Sequence, residues 1–418
     1  MMIKDSKHYR WWVVFLLWTG CVTNAMDRGS LGVAAPYIMK DLGLDPALMG
    51  IVLSSFFWTY TAMNIPAGLL ADKFGSKAAL GWSAFLWSAL TALTGTATSY
   101  IQLIAFRLGV GAGEAGIQPI NIKVVKNNFP TEERGTAVGM YNSGMRVGLA
   151  IVPVLMAFLM SAWNWRVAFY ITGIISVSWV AMWYFTFKSD KPEPVKPGEV
   201  VEKIPWRELL KHRTIVGIVI SKFFQDYMYF VFVTWLPAYL VMERGFTIIK
   251  MGWYASMPWI ITFCALPVVG ILSDTLIKRG MTVTNSRKGM IIGGHAVASL
   301  VVFAVYTDNA LVAMWLMTIA VVFESSASTI MMVTCAEIAP PNAAGAVAGI
   351  MNTAAGLAGI VAPIITGVLL KLTGSFQQAF ALASVFIIIA ALTMWFVVGK
   401  IEQITFDKKP AADTTISG

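Results

Sequence analysis

Charge is scarce in this chain. Asp, Glu, Lys and Arg make up 13% of its 418 residues, against about 25% in an ordinary globular domain. With 57% hydrophobic residues and a mean hydropathy of +0.69, this excludes a soluble globular protein and identifies a polytopic membrane protein. Cysteine is equally sparse. Cys21, Cys264 and Cys335 all fall in long apolar stretches, so no extracellular disulfide framework is expected. His8, His212 and His295 are scattered without metal-ligand spacing. There is no Ser-His-Asp set and no phosphate-binding glycine loop, so an enzyme is not expected. A cleavable signal peptide is also missing, because the first apolar run far exceeds the ~7–15 residues of a signal core and ends in no small-residue cleavage site. A sensor would append a soluble signalling domain, whereas only 18 residues follow Lys400.

What charge remains is concentrated where it is expensive. The stretch from Trp11 to Met39 is long enough to cross a bilayer as a helix, yet Asn24-Ala25-Met26-Asp27-Arg28-Gly29 lies at its middle. A charge at that depth costs at least ~2.5–3.5 kcal/mol on the most lenient insertion scale, and persists only with a partner or a task. Adjacent residues on a helix diverge by about 100° and do not face each other. Asp27 and Arg28 are therefore expected to line a water-filled cavity and not simply to neutralise one another.

Twelve spans are predicted, at 11–39, 46–72, 78–98, 100–125, 134–161, 165–187, 214–242, 249–274, 288–306, 309–336, 343–370 and 375–399. The net charge of +9 would suit nucleic acid, but the placement of the basic residues argues otherwise. With the N-terminus inside, 21 of the 31 basic residues fall in cytoplasmic segments, 5 in outer loops and 5 within helices. This positive-inside bias predicts that both chain ends are cytoplasmic.

The only long polar interval runs from Lys188 to Arg213 and is interrupted by Pro192, Pro194, Pro197 and Gly198. It divides the chain into a six-helix bundle at 1–187, a linker at 188–213 ending in a short interfacial helix from Trp206, a second bundle at 214–400, and a tail at 401–418. The halves repeat. A shift of 202 aligns Gly43 with Gly245, Gly50 with Gly252, Gly68 with Gly270 and Asp72 with Asp274. A shift of 210 aligns Glu114 with Glu324, Pro130 with Pro340, Gly135 with Gly345, Gly139 with Gly349, Asn142 with Asn352 and Pro153 with Pro363. Such a tandem duplication predicts two parallel copies related by an axis along the membrane normal. Gly135, Gly139, Gly144 and Gly148, with Gly345, Gly349, Gly356 and Gly359, are expected to form helix-packing faces.

Gly68-Leu69-Leu70-Ala71-Asp72-Lys73-Phe74-Gly75-Ser76-Lys77 resembles the cytoplasmic loop signature of the major facilitator superfamily, and Gly270 to Asp274 is its fainter copy. Arg107, Gly111, Glu114, Pro119, Lys123, Phe129-Pro130 and Glu133-Arg134, taken with Asp27-Arg28, are similar to the anion:cation symporter family within it. The likeness extends to Trp235-Leu236-Pro237 and to Asn352 through Pro363, and so covers essentially the whole chain. It implies an all-α fold of two pseudo-symmetric six-helix bundles. It also implies proton-coupled uptake of a small organic anion such as a sugar acid by alternating access, in a bacterial inner membrane. Two positions depart from the family: Ala25 stands where an aromatic residue is common, and Met145-Arg146 follows Ser143-Gly144 where a Gln is common.

Arg107 and Glu114 are seven residues apart and share a helix face about 10 Å apart along its axis. Glu114 and Asp27 are the candidate proton carriers, with Arg107 pairing alternately with each. A buried static ion pair is the competing reading. Arg28 offers a planar fork that matches a carboxylate, and the family's matching position binds the anion. Arg146 would favour a dicarboxylate, sulfonate or phosphonate, or else pairs with an acid such as Glu324. Tyr60 resembles a family tyrosine that contacts substrate; Tyr229 is the 202-shift counterpart of Asp27. Asn142 and Asn352 complete the candidate binding set. Gln225, Asp226, Tyr227 and the patch at Glu324, Ser325, Ser326 and Ser328 add polarity, and Lys222 is expected to snorkel to the interface. Asp72, with Lys73 and Lys77, and Asp274 are assigned to gating, as the superfamily's loop implies. The expected partners are an organic anion and the lipid bilayer. Nucleic acid is not expected as a partner, and the protein is expected to be a monomer. No cofactor is expected beyond a proton as coupling ion, with sodium left open; an anion exchanger is the alternative mechanism.

Overall fold

The computed structural model describes residues 7–188, 206–340 and 343–404. The linker at 189–205 and the tail from residue 405 lie outside the described residues.

The described chain makes twelve helical passes. They are α1 (Lys7–Leu42), α2 (Pro46–Phe74), α3 (Ser76–Thr94), a broken pass α4 (Tyr100–Glu114) and α5 (Ile117–Asn128), α6 (Thr131–Ala162) and α7 (Trp165–Thr186). After a four-residue α8 (Trp206–Leu209) come α9 (Arg213–Met242), α10 (Ile248–Lys278), the pair α11 (Val283–Ala298) and α12 (Val302–Tyr306), α13 (Ala310–Ile338), α14 (Ala344–Thr373) and α15 (Gln377–Phe396). Nine passes are long and apolar enough to cross a membrane on composition alone. Those that fall short include α1 and α4, which carry Asp27, Arg28, Arg107 and Glu114. Large apolar side chains such as Trp82, Phe185, Ile271 and Phe396 are exposed around the perimeter, as the outside of a lipid-embedded bundle requires.

The duplication is visible in the packing. In the first bundle α1 lies on α6, α2 on α4, and α3 on α4 and α7; in the second, α9 lies on α14, α10 on α13, and α11 on α13 and α15. These are the same pairs in each copy. The turns repeat as well: Gly43 and Gly245, 202 residues apart, both have φ of 64°, a left-handed conformation that a side chain would strain.

Between the bundles, α2 meets α14 and α6 meets α10 along a seam of small residues. A Cβ on Gly50 would sit 2.5 Å from the carbonyl oxygen of Pro363, and one on Gly252 would sit 2.8 Å from that of Pro153. These two contacts are repeat copies of one another. Both lie in the half of the molecule away from the chain ends, here termed the distal half. Among the described residues, two side-chain hydrogen bonds join the bundles, Ser54 to the carbonyl of Ile360 at 2.7 Å and Lys371 to Asp45 at 2.9 Å. Both are distal too. A residual space of only about 10 Å³ remains above the middle of the molecule between Gly29, Val33, Phe232 and Trp259, barely enough for one water.

The terminal half is different. Gly135, Gly139, Gly345 and Gly349 have no atom within 4 Å of a Cβ built on them. The expected packing faces are therefore only half used. Gly144 and Gly148 take the backbone of Trp18 and Val22, and Gly356 and Gly359 take Thr61 and Phe57, while the four glycines nearer the chain ends face open space. The molecule is sealed distally and open toward its termini.

The distal seal responds to sequence and to pH. Gly50→Val places a branched side chain against backbone that cannot move aside, so spin labels on the distal ends of α2 and α14 should report a longer separation, with substrate translocation lost. Asp45 has its carboxyl held below the usual range by hydrogen bonds from Lys371 and from the Leu48 amide. A depressed value stabilises the closed form above the ordinary carboxylate range and loses that effect as pH falls through it. The same labels should show distal opening rise by at most about fivefold on acidification, the ~1 kcal/mol of an exposed ion pair. In Asp45→Asn this response should be absent.

Candidate functional site

Asp27 and Arg28 leave α1 in different directions, as their helical spacing requires. Arg28 turns to α4 and donates to one oxygen of Glu114 from Nε at 3.2 Å and from Nη2 at 2.9 Å. Its guanidinium also lies over Phe56 and Tyr60 of α2, at 5.0 and 4.8 Å from their ring centroids. Glu114 is fully buried, and its second oxygen has no hydrogen-bond partner. Asp27 is fully buried as well; Ser176 of α7 and Trp87 of α3 are near enough to interact, but neither carboxyl oxygen is held in hydrogen-bond geometry. Arg107, 4% exposed, stacks over the other side of this cluster, 4.8 Å from the Phe56 centroid.

This differs from the expected pairing. Arg107 is within electrostatic reach of both Asp27 and Glu114, but forms no ion pair with either at hydrogen-bond distance among the described residues. Arg28, expected to be free for an anion, takes Glu114 instead. α4 is unbroken through both residues, so Arg107 and Glu114 lie on one face about two turns, or ~10 Å, apart along its axis; the turn at Ala115 and Gly116 follows Glu114 and leaves its carboxyl at the helix end. Gly111 and Gly113 let α4 approach the backbone of Phe56 on α2 and Trp87 on α3 closely, and the Arg28 side chain reaches across from α1 to the helix end. Asn24, also fully buried, adds an amide with no hydrogen-bond partner in the same wall.

Toward the midline, Gly135, Gly139, Asn142, Arg146 and Pro153 fall on one face of α6 by three- and four-residue steps. Pro153 on this face meets α10, so Asn142 and Arg146 face the second bundle across the terminal opening. Arg146 lies over Tyr229 of α9, 5.5 Å from the ring centroid, and its Nη1 is buried without a partner. Among the described residues Arg146 has no ion pair, with Glu324 or any other acid. Tyr229 is also within electrostatic reach of Arg28. Asn142 accepts from Gln118 at 3.3 Å. Asn352, on the face of α14 that carries Gly345, Gly349 and Gly356, is exposed to the opening. Tyr60, Tyr229, Arg28 and Arg146 are all partly exposed. Arg28 is thus paired, while Arg107 and Arg146 have no ion pair among the described residues.

A family model described as Major Facilitator Superfamily matches residues 17–363 and 285–417. The chain belongs to the major facilitator superfamily. Among its relatives, the probable galactarate/D-glucarate transporter GudP of Bacillus subtilis (strain 168) is 32% identical over 96% of this chain and 94% of that protein. The probable galactarate/D-glucarate transporter GarP of Escherichia coli (strain K12) is 31% identical over 97% of this chain and 98% of its own length. The probable sulfoacetate transporter SauU of Cupriavidus necator is 32% identical over 89% and 90%. In architecture the chain is similar to a bacterial homologue of the lysosomal transporter Spinster, with a TM-score of 0.80 and 19% identity over 94% of this chain and 98% of that one. It is similar also to a D-xylose-proton symporter, with a TM-score of 0.79 and 15% identity over 95% and 100%.

The superfamily's loop residues sit at the terminal rim. Asp72 is bonded to Lys123 of α5 at 2.8 Å, and Lys123 also donates to the carbonyl of Ala71. Lys73 lies over the Phe74 ring and Lys77 is bound only through its carbonyl, to Trp183. Neither lysine pairs with Asp72, because neighbouring helix positions diverge; the cation comes from another helix of the same bundle. In the second copy Asp274 meets Arg287 at 3.2 Å, and Arg287 also meets Glu337 at 2.9 Å. These latches are closed within each bundle while the bundles stand apart.

Lys222 does not snorkel. It is 9% exposed and turns inward to Asp226 at 2.5 Å and Ser328 at 3.1 Å. Gln225 donates to Glu324 at 3.1 Å, and Ser325 donates to the other oxygen of Glu324 at 3.1 Å. Sequence reasoning missed this linkage of Lys222 to the polar patch. The four-residue step from Lys222 to Asp226 was the available signal.

Arg28 and Glu114 should depend on one another. Arg28→Met leaves a buried carboxylate and should destabilise the protein by ~3–5 kcal/mol, whereas Arg28→Met with Glu114→Gln should recover most of that loss. Thermal unfolding of the two single variants and the double variant measures the coupling.

Proposed function

We propose that this protein is a proton-coupled symporter that takes up a small organic anion of the sugar-acid class by alternating access. The observation that carries the reading is the Arg28–Glu114 pair in the wall of a chamber open to one side. One guanidinium can hold either the carboxylate of Glu114 or the carboxylate of a substrate. When Glu114 takes a proton, Arg28 is released for the anion; when the anion and proton leave, Glu114 recaptures Arg28. A sealed chamber is affordable only in these two balanced states, since an unpaired buried charge costs several kcal/mol. Asp27, next to Arg28 and without a bonded counter-ion, is the second proton carrier in this scheme, and Arg107 sets the field around both acids. The named roles of the relatives as galactarate/D-glucarate and sulfoacetate transporters support an anionic cargo. The bias of basic residues supports cytoplasmic chain ends in a bacterial inner membrane, which makes the observed opening the inward one.

A dianionic cargo is favoured by a specific feature. Arg146 presents an unpaired buried Nη1 beside Tyr229, which is also within electrostatic reach of Arg28, so a molecule with an acid group at each end can engage both cations. Asn142, Asn352, Tyr60 and Tyr229 offer partners for hydroxyls between them.

Proteoliposomes with an imposed pH gradient should accumulate D-glucarate. Glu114→Gln should abolish gradient-driven accumulation while keeping counterflow. Accumulation retained in Glu114→Gln, accumulation driven by sodium instead, or counterflow indifferent to pH in the unaltered protein would each overturn the proton scheme. Arg146→Gln should raise KM for D-glucarate by about 10- to 100-fold, the ~1.5–3 kcal/mol of a charge-assisted hydrogen bond. It should leave a monocarboxylate such as D-gluconate little changed.

A further inference from the structure

The two copies of the repeat treat their equivalent acids differently. Glu114 and Glu324 are related by the 210-residue shift, and both are buried. Glu114 has Arg28 as its bonded cation and Arg107 nearby. The positions that correspond to those arginines in the second copy are Phe230 and Met317. Glu324 has kept its place in the membrane and lost both basic partners. Its two oxygens accept only from neutral donors, the amide of Gln225 and the hydroxyl of Ser325, each at 3.1 Å.

The surroundings do not supply the missing positive charge. On α9, Lys222 is bound to Asp226, so one cation faces two acids. On α13, Cys335 is a thiol, and on α11 His295 lies fully buried near Lys222 with both ring nitrogens unpartnered. Arg146 of the opposite bundle reaches Asp226 and Glu324 only through space. α15 has no charged residue, and α10 and α14 carry theirs only at their ends. Two further buried acceptors, Asp226 Oδ2 and Gln225 Oε1, have no donor. A carboxylate in such a place either takes a proton or pays a desolvation penalty of several kcal/mol.

We infer that Glu324, with the Lys222–Asp226 pair beside it, is a second proton-binding site, located in the C-terminal bundle and separate from the Arg28–Glu114 site. The proton supplies the charge that the second repeat lacks and provides a hydrogen for one of the idle acceptors. Arg146 can substitute for that proton when the bundles draw together, so occupancy of this site responds to bundle closure and to whether an anion holds Arg146. If the proposed symport is correct, two spatially distinct sites load protons for each anion. The site itself does not depend on that reading.

The test needs no substrate. Infrared difference spectra of the purified protein, recorded as pH is raised, should contain the carbonyl stretch of a protonated carboxyl that shifts in heavy water. Glu324→Gln should remove one such band and lower the titrated protons by one, whereas Asp27→Asn and Glu114→Gln should leave that band in place. Lys222→Met should add a band, because Asp226 then lacks its cation and must also take a proton. Thermal unfolding of the near-isosteric Glu324→Gln checks that its fold is retained. An unchanged set of carboxyl bands in folded Glu324→Gln, or no added band in folded Lys222→Met, would overturn the site. Neither result bears on whether Glu114 couples transport, which the proteoliposome assay reads separately.

Discussion

A buried carboxylate without a counter-charge costs several kcal/mol, and the Arg28–Glu114 pair supplies that counter-charge at 2.9 Å. The Arg28 side chain sits 86 residues from its partner Glu114 in sequence and reaches from α1 to the end of α4, which itself packs on α2 and α3. Gly111 and Gly113 let α4 pack closely on α2 and α3, the turn at Ala115 and Gly116 ends α4 at the Glu114 carboxyl, and Phe56 and Tyr60 cover the faces of the cation. Each element serves to make one ion pair tolerable while leaving it 15% exposed on the arginine side.

The duplication supplies the mechanics, and its breaking supplies the chemistry. Gly50 against Pro363 and Gly252 against Pro153 are one contact made twice, so the two bundles can close symmetrically about a central axis. The charges do not obey the same symmetry. Asp27 faces a tyrosine as its counterpart, Arg28 a phenylalanine and Arg107 a methionine, while Glu114 and Glu324 match. A symmetric scaffold with asymmetric charge gives one bundle whose buried acid is bonded to an arginine and another whose buried acid lies beside a lysine, a second acid and neutral polar groups.

Much of this was legible in one dimension. Span number, the repeat and the buried charges all register in hydropathy and spacing, because each depends only on how residues recur along the chain. Asp27, Arg28, Arg107 and Glu114 were identified as one group for the same reason: no lipid-facing position tolerates them. Their partners were not legible. Glu114 bonds Arg28 of a distant helix instead of Arg107 of its own, and Asp72 pairs with Lys123 only because α5 lies against the end of α2.

The sequence by itself determined twelve membrane-crossing segments in two related sets and the identity of the ionisable groups buried among them, since hydrophobic length and periodicity are local properties. Only the tertiary structure decided that Glu114 holds Arg28, that Arg146 is unpaired, that Lys222 turns inward, and that the distal half is shut while the terminal half is open. Those outcomes depend on distances between helices far apart in the chain, and a one-residue step in a helix, or a single break in one, redirects a side chain by about 100°.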